Sequence, residues 1–313
     1  MMATTDSPVF ASLQQLVALQ ADARSLRMPA PRRLASPRQG GHLTTVRGRG
    51  MALAEVRPYQ AGDDVRRIDW RITARRQQPH TKIYEEERER PVLLICDLGP
   101  TSFFASQGAY KQVRCAQAAA LLAWLALSSG DQVGGVVFDG DTIDVIRPAR
   151  RKKTVLRLLD ALAGRQRHRA PDTGQFRSAA GALEEALTEA RRIAHTGSRI
   201  FLLSDFANDT SHLSRQLGAL AHHNSVTAIE LTDPLDQQPP AGGRYAVRGA
   251  GDTLWFDAAN PHLREAWRNR AESRQQQLEH LFRQTAVSYL SLATTEHPTT
   301  LLRSLTGQGG RLL

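Results

Sequence analysis

The stretch that decides the fold runs from residue 91 to residue 101 and reads Pro-Val-Leu-Leu-Ile-Cys-Asp-Leu-Gly-Pro-Thr. Its first part, from Val92 to Cys96, is a continuous apolar run bounded by Pro91 and Asp97. Such a run is typical of a strand that is buried on both faces of a parallel sheet. An α/β domain is therefore predicted to begin at Pro91.

Strand-like and helix-like segments alternate from this strand to the C-terminus. Further strands are predicted at 132–138, 142–146, 199–204, 226–231 and 287–292. Helices are predicted at 108–129, 152–163, 178–194, 211–222, 261–284 and 298–305. The alternation predicts an α/β fold with a doubly wound, mostly parallel sheet.

Three regions are predicted along the chain. Residues 1–41 contain an amphipathic helix at 8–26 and a Pro/Arg-rich linker. Residues 42–90 are a charged segment without a helix or strand repeat, and they are expected to be irregular. Residues 91–313 form the α/β domain, with a short hairpin inserted near 244–257.

Two carboxylates lie at predicted strand ends. Asp97 ends the first apolar strand, and Asp205 follows the strand at 199–204. Ligands of doubly wound sheets bind outside the carboxyl ends of the strands, so both side chains are expected on one edge. The simpler alternative is that each one caps a loop or the helix that follows it.

The sequence around these acids resembles the metal-ion-dependent adhesion site of von Willebrand factor A domains. Asp97, Thr101 and Asp205 match its pattern, and Thr173 is a candidate for the middle threonine. The resemblance implies Mg²⁺ held by oxygen ligands, with one position open for a partner's carboxylate. Gly99 departs from the pattern because it lacks a hydroxyl ligand, so a degenerate site or a metal-free docking edge is expected.

A second motif precedes the first apolar strand. It begins at Gly48-x-Gly50 and closes at Arg75, and its other members are Glu55, Arg57, Tyr59, Gly62, Asp63, Asp64, Arg66, Asp69 and Trp70. This run closely resembles the signature of the domain of unknown function 58 family.

The family resemblance implies binding partners, and it does not imply a catalysed reaction. Members contain a von Willebrand factor A-like domain and are commonly encoded beside MoxR-type AAA+ ATPases. The implied role is a non-enzymatic adaptor of such an ATPase, alongside other von Willebrand factor A-like proteins. Many relatives carry N-terminal membrane helices, but no segment here has the roughly 18 apolar residues of a membrane span. A cytoplasmic location is therefore expected.

The motif has two interpretations from its residues alone. Its acids alternate with arginines, which suits a structural ion-pair network with Tyr59 and Trp70 as packing anchors. The alternative is an arginine-rich face that docks on an acidic partner.

Two other functions have partial support in the sequence. The 41 Lys and Arg exceed the 31 Asp and Glu, and the net charge of +10 favours an acidic partner such as nucleic acid. Aromatic residues are only 6%, which argues against stacking platforms for single strands. A metal-dependent hydrolase would use Glu55, Asp63, Asp64 and Asp69, but the neighbouring arginines would pair with these acids first.

Cys96 and Cys115 lie in apolar runs and are expected to be buried thiols.

Overall fold

The computed structural model describes residues 7–26, 51–60, 65–86, 90–166, 179–207, 210, 212–248 and 253–306. The chain divides into two compact units. The larger unit consists of Met1–Arg32 and Arg90–Leu313, and the smaller one of Arg33–Glu89. The N-terminal helical segment therefore groups with the α/β domain.

Ten strands occur in the described residues: β1 (Met51–Pro58), β2 (His80–Glu86), β3 (Val92–Asp97), β4 (Val133–Phe138), β5 (Ile143–Ala149), β6 (Arg199–Ser204), β7 (Ser225–Thr232), β8 (Arg244–Arg248), β9 (Thr253–Asp257) and β10 (Ser288–Ala293). The α-helices described with them are α1 (Leu13–Ala18), α2 (Gln20–Ala23), α3 (Trp70–Arg76), α4 (Lys111–Ser128), α5 (Lys152–Arg165), α6 (Ala179–Ile193), α7 (Leu213–Ala221), α8 (Pro234–Gln237), α9 (Pro261–Gln284) and α10 (Pro298–Thr306).

The larger unit is built on a six-stranded sheet in the order β10-β7-β6-β3-β4-β5. All neighbouring pairs are parallel except β4 and β5, which form the hairpin predicted at Asp139-Gly140. Every residue of β3 and of β4 is buried, as the continuous apolar runs require. The predicted doubly wound, mostly parallel sheet is confirmed.

Helices cover both faces of this sheet because successive side chains of a strand point to opposite faces. Leu94 and Cys96 belong to the core shared with α4 and α5, whereas Leu93 and Ile95 belong to the core shared with α6, α7 and α9. Cys96 and Cys115 are buried free thiols in the first of these cores, as predicted.

The predicted helix at 8–26 is shorter in the structure: α1 begins at Leu13, α2 ends at Ala23, and Leu19 between them keeps helical backbone dihedrals. Ser12 caps α1 through a capping box with Gln15. Leu16 is fully buried, and its carbonyl oxygen accepts a hydrogen bond from Trp124 Nε1 at 3.1 Å. These contacts fasten the segment to α4.

The smaller unit corrects the prediction that residues 42–90 are irregular. β1 and β2 form an antiparallel pair, from Met51 opposite Glu86 to Pro58 opposite His80, and α3 lies between them in sequence. The two strands carry many charged residues, so they lack the alternating apolar pattern by which a strand is recognised in a sequence. Backbone hydrogen bonds join the two strands, and the periodicity of the side chains in a sequence does not reveal such bonds.

The remaining elements lie after β7. The hairpin predicted near 244–257 forms as β8 and β9. The short helix α8 was not predicted, and it begins with a capping box between Asp233 and Asp236. None of the helices in the described parts of the chain is long and apolar enough to cross a membrane.

Candidate functional site

The strand order of the sheet reverses at β3. The chain passes from β3 to β4 on one side and later returns to β6 on the other, so β3 and β6 are parallel neighbours. The crevice outside the carboxyl ends of two such strands is the usual ligand position in doubly wound folds. Asp97 ends β3 and Asp205 follows β6, so the structure brings both predicted carboxylates to this point.

Asp97 is held by hydrogen bonds at both carboxylate oxygens. Gly99 N–H donates to Oδ1 at 2.9 Å, and the Ser204 hydroxyl donates to Oδ2 at 2.6 Å. The Ser204 oxygen also accepts from the Phe206 N–H at 3.0 Å. Phe206 has a φ of 46°, a left-handed conformation that bulky residues seldom adopt. The turn after β6 is therefore shaped to hold Ser204 against Asp97.

Burial controls the protonation of Asp97. The side chain lies in the protein interior, and this desolvation, together with the nearby charge of Asp205, raises the pKa of Asp97 to about 7. The hydrogen bonds from Ser204 and Gly99 oppose this rise, but they do not offset it. Asp97 and Asp205 therefore repel each other across the crevice.

A buried lysine lies beside the second carboxylate. Lys111 Nζ is 2.7 Å from Asp236 Oδ2 and 3.7 Å from Asp205 Oδ2. The side chains of Lys111 and Asp205 are only 5% and 2% exposed. Asp205 Oδ2 has no hydrogen-bond partner within the described residues, so the lysine ammonium is its nearest compensating charge.

The cluster continues across β7 and β10. Arg274 of α9 donates to the Asp205 carbonyl oxygen and pairs with Glu230 Oε1 at 3.2 Å. The Tyr289 hydroxyl donates to Glu230 Oε2. Burial raises the pKa of Glu230, against the opposing effects of Tyr289 and Arg274. Arg274, Glu230 and Tyr289 border a cavity of about 740 Å³ between α9 and β10.

Among the described residues, the predicted Mg²⁺ ligands do not assemble into a metal site. Thr101 is exposed, whereas the buried hydroxyl of the same turn belongs to Ser102 and donates to the Gly99 carbonyl oxygen at 2.7 Å. A Cβ atom at Gly99 would lie 2.9 Å from Asp97 Oδ1, so a hydroxyl residue at this position requires the Asp97 carboxylate to shift. Thr173 lies outside the described residues.

The charges around these acids also disfavour a divalent cation. Both Asp97 oxygens accept hydrogen bonds, and the Lys111 ammonium adds a positive charge beside Asp205. No group of three or more His, Cys, Asp or Glu side chains within the described ranges is arranged to hold a metal. The observed donor set therefore does not fit Mg²⁺.

Several residues of the cluster were missed in the sequence. Lys111 begins an Ala/Leu-rich helix, where a lone lysine is normally solvated. Ser204 and Asp236 had a weak signal, because each stands within a few residues of a strand end. Arg274 is one of several arginines on a long charged helix, and nothing in the local sequence distinguishes it.

The signature residues at the strand pair of the smaller unit have backbone roles. Glu55 lies in β1 opposite Ile83, beside an irregularity in the β1–β2 register. Tyr59 is half-buried, and its N–H donates to the Pro79 carbonyl oxygen at 2.8 Å. Arg57 Nη1 donates to the Pro58 carbonyl oxygen at 3.2 Å.

The signature residues around α3 are more exposed. Asp69 caps the helix by accepting from the N–H groups of Arg71 and Ile72 at 3.0 and 3.2 Å. Trp70 is 70% exposed, so it is not a packing anchor in the described structure. Arg66 and Arg75 are also exposed. Gly62, Asp63 and Asp64 lie outside the described residues.

Comparison with known families gives a match over most of the chain. The sequence profile of a family described as "Protein of unknown function DUF58" matches residues 55–277. Uncharacterized protein Rv1480 of Mycobacterium tuberculosis is 28% identical over 281 residues, which cover 88% of this chain and 85% of that protein. Uncharacterized protein Mb1516 of Mycobacterium bovis gives the same values.

Solved structures are similar at low sequence identity. The conserved hypothetical protein BatB from Bacteroides thetaiotaomicron has a TM-score of 0.41 and 13% identity, covering 70% of this chain and 98% of that one. The SpRpn10 VWA domain has a TM-score of 0.33 and 11% identity, covering 71% of this chain and 99% of that one.

Proposed function

Since the chain belongs to the DUF58 family, we propose that it is a non-enzymatic adaptor that binds a MoxR-type AAA+ ATPase. The profile match shows the family, and the ATPase partner comes from the family resemblance of the signature residues. The proposal includes a cytoplasmic location, where ATP is available to such a partner.

The exposed face of α3 is the observation that carries this proposal. Trp70 is 70% exposed at the first turn of the helix, and Arg71, Arg75 and Arg76 are exposed on the same short helix. Tryptophan and arginine are the residue types enriched in the energetic centres of protein interfaces. Of the two interpretations of the signature, the docking face is therefore the one that we adopt.

The buried cluster of the larger unit supports a non-catalytic role. Asp97 is 9% exposed and Asp205 is 2% exposed, and neighbouring groups already engage both oxygens of Asp97. A general acid or base must come within hydrogen-bond distance of its substrate. The Asp97 carboxylate instead accepts a hydrogen bond from Ser204 and so links the carboxyl ends of β3 and β6.

Binding to a purified MoxR-type AAA+ ATPase from the same organism tests the proposal. Isothermal titration calorimetry should detect a complex in the presence of a non-hydrolysable ATP analogue. Absence of heat and of co-elution at micromolar concentrations, with both proteins folded by circular dichroism, would contradict it.

A further inference from the structure

The edge of the larger sheet opposite β10 carries a concentrated positive charge. A cavity of about 390 Å³ lies between β5 and the first turns of α5. Its lining residues are Val145, Ile146, Arg147, Ala149, Arg151, Lys153, Thr154 and Arg157. We call it the basic hollow. Four of its eight lining residues are cations, and none is an acid.

The cations of the basic hollow have no ion-pair partner among the described residues. Arg147, Arg151, Lys153 and Arg157 are exposed, and none forms an ion pair with a described residue. In contrast, Arg165 at the end of the same helix pairs with two aspartates. The charge of the hollow is therefore available to an external anion.

The position of these cations opposes the electrostatics of α5. Lys153 lies in the first turn, the N-cap residue Arg151 makes no side-chain cap, and the first turn contains no acidic residue. The N-terminus of a helix already carries partial positive charge, so cations there are unfavourable. Such a local conflict without an internal compensation is expected at functional sites.

The strand beside the hollow offers hydrogen bonds that suit a peptide. β5 is an edge strand, and within the described residues it pairs only with β4. An extended peptide can pair with an open strand edge, whereas nucleic acid and lipid have no backbone amides for this purpose. The floor of the hollow is aliphatic, formed by Val145, Ile146 and Ala149, and it gives no aromatic ring for base stacking.

Cations on an edge strand can also serve to prevent edge-to-edge association. Arg147 of β5 suits that role. Arg151, Lys153 and Arg157 do not, because they belong to the N-cap and first turns of α5 and not to the strand. Edge protection therefore leaves three of the four cations unexplained.

We propose that the basic hollow docks an extended acidic segment of a partner protein. Its carboxylates pair with Arg151, Lys153 and Arg157, and its backbone runs along the outer edge of β5. This docking site consists of residues other than those of α3, and it does not depend on the identity of the partner.

The test uses a fluorescein-labelled peptide of alternating Glu and Val as the probe. The triple variant Arg151→Glu, Lys153→Glu, Arg157→Glu reverses the charge of three of the four cations that line the basic hollow. The control Arg191→Glu, Arg215→Glu, Arg270→Glu makes the same change in net charge at exposed arginines elsewhere. Glutamate is favourable in the first turn of a helix, so the test variant is expected to fold, which circular dichroism checks.

Fluorescence anisotropy should show that the hollow variant binds the peptide at least about tenfold more weakly than the unmodified chain, with the control within about twofold. A Glu and Val peptide that is N-methylated at every residue lacks all of its backbone donors and should also bind more weakly. Equal losses in both triple variants would overturn the site. The assignment to a protein segment would be overturned if a single-stranded oligonucleotide or phosphatidylserine vesicles bound more tightly than the peptide. The strand-edge contact would be overturned if the two peptides bound equally well.

Discussion

Replacing Lys111 by methionine should destabilise the larger unit strongly. The substitution keeps the length and apolar character of the stem but removes a charge that is 5% exposed, 2.7 Å from Asp236 and 3.7 Å from Asp205. Breaking a buried ion pair from one side leaves an uncompensated buried charge and costs about 3–5 kcal/mol. We expect a loss of this size in the free energy of unfolding, measured by urea denaturation at neutral pH.

The control for Lys111→Met is Arg192→Met. Arg192 pairs with Glu189 on α6, but its side chain is 70% exposed, and exposed pairs contribute less than about 1 kcal/mol. Adding Asp236→Asn to Lys111→Met should recover part of the loss, because it removes one of the stranded charges, and the double-mutant cycle should give a coupling above about 1 kcal/mol. A loss for Lys111→Met no larger than that for Arg192→Met would refute the buried cluster as described.

Three further predictions concern the same edge of the sheet. The pKa of Asp97 is about 7 in the folded chain and about 4 in the unfolded chain. Between these pH values only the folded state holds the proton. The contribution of Asp97 to the free energy of unfolding therefore falls as the pH rises from about 4 to about 7. Asp97→Asn should flatten this slope in denaturation midpoints; an unchanged slope would argue against it. Gly99→Ser should cost about 1–3 kcal/mol, because its Cβ meets Asp97 Oδ1 at 2.9 Å, whereas Gly181→Ala, with open space around it, should not destabilise α6. Millimolar Mg²⁺ should leave the Tm unchanged, and a rise of several degrees would show that a metal binds after all.

The fold could be predicted because β3, β4 and most of β6 and β7 are buried on both faces. β3, with six buried residues in succession, gives a signal that depends on composition alone. β1 and β2 escaped prediction because an antiparallel pair rich in charged residues has no such signal. The start of α1 at Leu13 was also missed, although Ser12 and Gln15 carry the capping-box pattern.

The candidate site was predicted only in part. The shared edge for Asp97 and Asp205 followed from the parallel topology, which places the carboxyl ends of neighbouring strands together. Lys111 and Arg274 come from α4 and α9. Lys111 meets the Asp205 and Asp236 carboxylates, and Arg274 meets Glu230 and the Asp205 carbonyl oxygen, only after these helices pack. The exposure of Trp70 likewise could not be read from a motif that suits a packing anchor equally well.

The central claim, that α3 is the docking face of an adaptor, is tested most directly by the affinity of a Trp70→Ala variant for the MoxR-type AAA+ ATPase. Trp255→Ala is the matched control, because Trp255 of β9 has the same 70% exposure. Both variants should retain the stability of the unmodified chain. We predict that Trp70→Ala weakens the Kd by at least about thirtyfold, as for a residue at an energetic centre worth about 2 kcal/mol, while Trp255→Ala leaves it within about twofold. The opposite order of effects, or no effect of Trp70→Ala on a complex that does form, would contradict the claim.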